Sequence, residues 1–262
     1  MALSAIILAA GRGSRLHPYT ENCPKSLTEF DGISLIERQI STLNAEGAYD
    51  IVIATGYMSE MFAIPNVRKT HNPEWATTNM VETLFSGEAL FGDDLIVSYG
   101  DIIYEPRVLR ALLASPHDIS VVIDTSWRSY WEHRFDDPLS DAESLRLDEV
   151  GRIIDIGSKV AEIDDIQAQY MGLMRFRGQG LKTLKTVRAE MGRMHRAWME
   201  NRTLANAYMT DLLMEIILRG HDVHGIPTAG GWLEFDTVSD YETACRMAAD
   251  GSISQFFNPA AR

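Results

Sequence analysis

The stretch Leu8-Ala-Ala-Gly-Arg-Gly-Ser-Arg15 decides how the chain is read. It begins in the short apolar run Ala5-Ile-Ile-Leu8 and carries two glycines just where that run must end. A continuous apolar run stopped by glycine has the pattern of a strand buried on both faces. A glycine-rich turn at the end of such a strand lets backbone N–H groups approach phosphate oxygens. Two other phosphate patterns are absent. No Gly-x-x-x-x-Gly-Lys-Ser/Thr string exists, and the dinucleotide fingerprint fails because Leu16 stands where its third glycine belongs. The pattern alone leaves a phosphate site and a plain tight turn both open. Local charge favours the first. Arg12, Arg15 and Lys25 face one acid, Glu21, in a chain of net charge -13.

Working outward from the loop, strand and helix patterns alternate. Residues 34–46 place Leu35, Ile36, Gln39, Ile40 and Leu43 at helical spacing, with Ser34 and Glu37 set to form a capping box. Residues 50–55 predict a strand, 79–91 a helix capped by Asn79, 94–99 a strand ended by Gly100-Asp101, 106–114 a helix and 118–124 a strand. Such βαβα order predicts a mostly parallel sheet with helices on both faces. Ligands bind beyond the carboxyl ends of the strands in such sheets, so the loops after Leu8, Thr55 and Tyr99 should converge. The second half predicts a hairpin over 145–156 with Gly151 in its turn and a strand over 168–176. Helices follow over 181–199 and 207–219, short strands over 222–227 and 231–236, and a helix over 238–249. Residues 126–144 read as loop.

Composition narrows the class. The 262 residues suit one large α/β domain and can bury a substantial core. The acidic balance argues against a nucleic-acid or anionic membrane partner, because no global positive field exists to release counter-ions. No apolar run approaches the length of a membrane span, and the N-terminus lacks the basic flank of a signal peptide. Cys23 and Cys245 lie far apart in no motif and read as two free thiols, so a cytoplasmic location is expected. His221-x-x-His224 flanks a strand and not a helix face, which argues against zinc.

The longer string is more specific. Leu8-Ala-Ala-Gly-x-Gly-x-Arg15-Leu, followed by Pro24-Lys25-Ser-Leu, resembles the opening of the sugar-phosphate nucleotidyltransferase superfamily. The resemblance extends with looser motifs over nearly the whole chain. It implies a Rossmann-like α/β fold: a mostly parallel central sheet flanked by helices, with inserted strands covering the active site. We read residues 1–262 as one nucleotidyltransferase domain, with 1–125 the nucleotide-binding half and 126–262 the acceptor-binding half. The resemblance assigns Leu8, Ala9 and Ala10 to base and ribose, and Gly11, Arg12, Gly13 and Arg15 to the β- and γ-phosphates. It assigns Lys25 to the α-phosphate and the incoming phosphate, with Gly100 in the nucleotide wall. Lys25 and Arg15 are thereby the expected catalytic pair.

Metal and acceptor follow from the same source. Glu234 and Asp236 alternate along a predicted strand, so both can point to one face. Asp236 is also a fair helix-start residue. The superfamily pattern places a metal aspartate at the Gly-Asp strand end and another in the Glu-x-Asp-Thr strand, which here are Asp101 and Asp236. Mg²⁺ is the implied cofactor, since it takes carboxylate and phosphate oxygens. Asn79-Met-Val-Glu-Thr-Leu, Val97-Ser-Tyr-Gly-Asp-Ile-Ile-Tyr104 and Tyr208-Met-Thr-Asp211 are similar to the phosphocholine cytidylyltransferase-like branch. That branch implies CTP and a small phosphorylated or phosphonate acceptor, such as phosphocholine or 2-aminoethylphosphonate, as partners. A cationic acceptor needs an aromatic face and a carboxylate. Asn79, Trp131, Tyr208, Asp211 and Glu234 are the candidates, with Tyr130 and Trp232 nearby in pattern. A homodimer is an allowed state. Alternatives remain: a sugar-1-phosphate nucleotidyltransferase using UTP, GTP or dTTP, and a glycosyltransferase of similar fold, which usually carries an Asp-x-Asp motif that Gly100-Asp101-Ile-Ile lacks.

Overall fold

Residues 3–194 and 201–260 are described by the computed structural model. Its strands are β1 Leu3–Ala9, β2 Glu29–Phe30, β3 Ile33–Ser34, β4 Asp50–Thr55, β5 Arg68–His71, β6 Asp94–Tyr99, β7 Ile102–Tyr104, β8 Ile119–Asp124, β9 Leu145–Leu147, β10 Ile153–Ile156, β11 Gln169–Arg177, β12 His224–Thr228 and β13 Trp232–Glu234. Its α-helices are α1 Leu35–Ala45, α2 Met80–Phe85, α3 Pro106–Ala114, α4 Trp127–Arg134, α5 Gly178–Met191, α6 Met209–Leu218 and α7 Val238–Asp250.

Seven strands form the central sheet in the order β12-β8-β11-β6-β1-β4-β5. β1 pairs in parallel with both β4 and β6. β11 alone runs against its neighbours. The expected mostly parallel α/β sheet is therefore observed. Ala5 to Ala9 are all buried, as a strand covered by helices on both faces requires. The capping box expected at Ser34 forms: Ser34 Oγ accepts from Glu37 N while the Glu37 carboxylate accepts from Ser34 N.

Several expectations are corrected. The helix expected over 79–91 is shorter, ending at Phe85 and giving way to a turn of 3₁₀ helix at Glu88–Leu90. The fifth helix begins at Gly178 and ends at Met191, and residues 195–199 of the expected span lie outside the described residues. The region read as loop contains α4. Its buried stripe, Trp127, Tyr130, Trp131 and Arg134, has helical i, i+3, i+4, i+7 spacing, but one member is arginine, which masks the apolar pattern.

Two short pairings set the site. Gly100 leads directly from β6 into Asp101 and β7, and β7 pairs antiparallel with β13 in the register Ile102↔Glu234. Phe235 N donates to Asp101 O at 3.0 Å. Two aspartates 135 positions apart in the numbering are thus fixed beside each other at the carboxyl edge of the sheet. Among the described residues, no helix is long and apolar enough to cross a membrane.

Candidate active site

The loop after β1 turns because Gly13 adopts a left-handed conformation, φ 69°. It also needs the missing side chain: a Cβ there would meet Lys25 Cβ at 2.7 Å. Gly100 is constrained differently, since a Cβ on it would lie 2.6 Å from the carbonyl oxygen of Leu8. The main chains after β1 and β6 consequently approach each other closely, and a cavity of about 320 Å³ opens beside them.

Leu8, Ala9, Ala10, Gly11, Gly13, Arg15, Lys25, Gly100, Asp101 and Asp236 all line this cavity. The structure brings together most of the residues assigned to the nucleotide from sequence. Arg12 is not in the wall. It is exposed, and its guanidinium sits 5.4 Å from the ring centre of Tyr57. Trp75, Thr78, Thr83 and Ser26 also line the cavity and were not singled out from sequence. Ser26 carries the clearest structural signal: its hydroxyl is buried and has no hydrogen-bond partner, so a ligand is the natural acceptor or donor for it.

Lys25 is the electrostatic centre. Its Nζ donates to Asp101 Oδ2 and to Asp236 Oδ1, each at 2.7 Å. Arg15 reaches the other Asp236 oxygen at 2.5 Å. Burial pulls the Lys25 ammonium down, but the two carboxylates outweigh it and hold its pKa above the ordinary lysine value. Burial pushes Asp236 up, and Lys25, Arg15 and Arg134 overcome that, leaving it below the usual carboxylate range. The aspartate is thus ionised at neutral pH.

A second cavity of about 330 Å³ adjoins the first and shares Arg15, Met80, Tyr99 and Tyr208 with it. Its walls carry three acids, Asp141, Glu143 and Glu234, two aromatic side chains beyond those shared, Trp131 and Tyr170, and the cations Lys159 and Arg202. Trp131 Nε1 donates to Asp141 Oδ2 at 3.1 Å. Burial raises the Glu234 pKa to about 8, with the Asp236, Asp101 and Asp141 charges adding to it against Arg134. Arg134 supports this corner from behind. It pairs with Glu234 at 2.8 Å and Asp240 at 3.2 Å, and Asp240 caps α7 by accepting from Thr237 N.

Of the acceptor candidates, Trp131, Tyr208 and Glu234 line the second cavity. Asn79 lies instead in the wall of the first, where its side chain caps α2 by accepting from Met80 N at 2.9 Å. Asp211 is corrected outright. Its side chain is fully buried, accepts from Tyr208 N and from Arg202 Nε, and so serves the start of α6 and not the cavity. Tyr130 and Trp232 are core residues. Trp232 Nε1 donates to Asp124, and Tyr130 Oη accepts from Glu234 N.

Among the described residues no group of three or more His, Cys, Asp or Glu side chains could hold a metal. The two aspartates fit Mg²⁺ nonetheless, because that ion is commonly held by one or two carboxylates and completed by phosphate oxygens and water. Asp101 Oδ1 is buried and lacks a hydrogen-bond partner, as an oxygen reserved for a cation should be.

Comparison with known proteins places the chain in a family. Residues 5–150 match the model of the MobA-like NTP transferase domain. The chain is 33% identical over 253 residues to the CTP:phosphoglutamine cytidylyltransferase of Campylobacter jejuni, covering 92% of this chain and 98% of the relative. It is 41% identical over 101 residues to the choline-phosphate cytidylyltransferase of Streptococcus pneumoniae, covering 37% of this chain and 42% of that one. The solved CTP:phosphocholine cytidylyltransferase from Streptococcus pneumoniae has the same fold, with a TM-score of 0.71 at 21% identity, over 95% of this chain and 100% of that one.

Proposed function

The chain belongs to the MobA-like NTP transferase family and is a nucleotidyltransferase, and from that premise we propose that it transfers CMP from CTP to a small phosphorylated or phosphonate acceptor bearing an amine. The single observation that carries the reading is the junction of the two cavities. Arg15 lines both cavities, and Lys25 lines the first beside it, both held on Asp236.

In this reading the triphosphate lies along the loop from Leu8 to Arg15, and the acceptor's phosphate or phosphonate enters from the second cavity. An acceptor oxygen attacks the α-phosphorus of CTP. A new P–O bond forms there as the bond to the bridging oxygen of the β-phosphate breaks, and pyrophosphate leaves. Lys25 and Arg15 neutralise charge as it spreads over the phosphoryl oxygens, the main requirement of such a transition state. Holding both substrates in line supplies much of the remaining acceleration. Asp101 and Asp236 would hold Mg²⁺, which when bound supplies further positive charge to the phosphates.

The acceptor class rests on the second cavity. Asp141 and Glu143 with Trp131 and Tyr170 suit an ammonium group, through charge and through the aromatic faces. Lys159 at the same cavity suits a carboxylate in addition. Phosphocholine, 2-aminoethylphosphonate and phosphorylated amino acids or their amides all fit one or both demands, and the Campylobacter jejuni relative is named for phosphoglutamine. The residues 1–125 and 126–262 are proposed to divide the two substrates between them.

The test is pyrophosphate release with each of four NTPs against phosphocholine, phosphoethanolamine, 2-aminoethylphosphonate, small phosphorylated amino acids and hexose 1-phosphates, with Mg²⁺ present. CTP paired with an amine-bearing acceptor is expected to turn over. Release with UTP and a hexose 1-phosphate instead refutes the assignment.

A further inference from the structure

We propose that Lys25 is an exchangeable counter-ion of the metal site: its ammonium occupies the place between Asp101 and Asp236, so a divalent cation enters with the nucleotide and not before it. The inference rests on the nucleotidyltransferase reading. Its basis is how the four carboxylate oxygens are used. Lys25 takes one oxygen from each aspartate at 2.7 Å, and Arg15 takes the second oxygen of Asp236 at 2.5 Å. Asp101 Oδ1 alone is buried without a partner. Two anions thus face two cations, and the cluster is neutral. A divalent ion brought into it gains little attraction from a balanced set and meets repulsion from an ammonium a few ångströms away.

The Lys25 ammonium holds an oxygen of each aspartate at 2.7 Å, the same oxygens a cation would take. It must move. Its stem already runs across Gly13, where Cβ, Cγ and Cδ lie 2.7 to 3.0 Å from the position a glycine Cβ would take. Rotation about that stem carries Nζ from the aspartates toward phosphates held on the loop. A triphosphate supplies the anionic oxygens that Lys25 and Arg15 give up, and it leaves Asp101 and Asp236 facing a cation-sized gap. Nucleotide and metal then strengthen each other's binding, and by linkage the effect is reciprocal.

The experiment measures Mn²⁺ binding by electron paramagnetic resonance, with calorimetry as the second method. Wild type, Lys25→Met and Lys25→Arg are compared without nucleotide, and wild type again with a non-hydrolysable CTP analogue. Nucleotide-free wild type and Lys25→Arg are expected to bind Mn²⁺ weakly. Lys25→Met should bind it on the order of tenfold or more tightly, and the analogue should strengthen binding to wild type beyond its own Mn²⁺ affinity. Equal nucleotide-free affinity in wild type and Lys25→Met overturns the exchange. So does a wild-type affinity that the analogue leaves unchanged, and that arm decides alone if Lys25→Met does not fold. Pyrophosphate release is assayed separately on the wild type. Its absence with every substrate pair refutes the transferase reading and leaves the nucleotide-free comparison to judge Lys25.

Discussion

One cavity is built around a single glycine-rich loop, the other from side chains gathered out of distant segments. Around the first, Leu8 to Gly11, Gly13 and Gly100 bring the main chain close, and Lys25 and Arg15 face Asp101 and Asp236. Around the second, Asp141, Glu143, Lys159, Tyr170, Arg202 and Glu234 come from segments far apart in the chain. A glycine-rich loop that phosphate oxygens can approach closely suits any triphosphate, whereas a wall of charges and rings suits one acceptor. The shape shared across a family of chemistries thus sits in the first cavity, and the discrimination sits in the second. Each variant below can break that division or sharpen it.

The largest effect belongs to the charged centre of the first cavity. Lys25→Ala and Asp101→Asn are expected to keep the fold, as judged by circular dichroism, and to lower turnover by on the order of 10²-fold or more whichever acceptor is supplied. An effect that depends on the acceptor would place Lys25 in the discriminating wall and undo the comparison.

The same division explains what could be read from sequence. The first wall is legible because consecutive residues make it: a strand, two glycines and Arg15 lie within eight positions, and Pro24-Lys25 follows closely. Asp101 and Asp236 were reachable because each ends a strand in a recognisable string, although only the β7–β13 pairing puts them side by side. Asp141, Glu143, Lys159 and Arg202 carry no local pattern, since tertiary packing alone brings them to one cavity. Asp211 shows the opposite failure. An acid at the third position of a helix serves equally well as a cap or as a ligand, and only the Arg202 and Tyr208 contacts decide for the cap.

Asp141 is the sharpest probe of the second wall. Asp141→Asn is expected to raise the KM of an amine-bearing acceptor about tenfold, the loss of one charge-assisted contact, with kcat and the KM for CTP little changed. Stability should move the other way. Burial holds the Asp141 carboxyl above the ordinary range, with Asp236 and Asp240 adding to it against Arg134 and Trp131. A carboxyl with a raised folded pKa contributes stability below its unfolded pKa and loses it as pH rises through the folded value. At neutral pH the ionised aspartate therefore destabilises the fold, and Asp141→Asn should raise Tm there. The difference should close as pH falls to roughly 4, near the unfolded carboxylate value. A lower Tm at neutral pH would show that the acid is compensated within the protein and is not waiting for a cationic ligand.

Tyr208 belongs to both cavities, so its effect should be smaller and divided. Its ring is partly exposed and carries the Arg202 guanidinium 4.5 Å from its centre. Tyr208→Ala is expected to raise the acceptor KM a few-fold, in line with an exposed cation–π or stacking contact. A change confined to the KM for CTP would move the boundary between the walls.

The smallest effect should come from Arg12, and it tests whether the main-chain wall is already formed. The family resemblance assigns both Arg12 and Arg15 to the phosphates, yet only Arg15 faces the cavity, where it pairs with Asp236. Arg12 lies exposed against Tyr57. A solvated cation beside a phosphate site acts through screened charge alone, so Arg12→Ala should change kcat/KM for CTP by about threefold or less, and raised salt should erase the change. Arg15→Ala should cost more, because it also removes a partner of Asp236. Equal losses in the two variants would mean that the loop closes on the triphosphate and turns Arg12 inward. The first cavity would then owe its grip to side chains, as the second does, and the contrast between the two walls would fail.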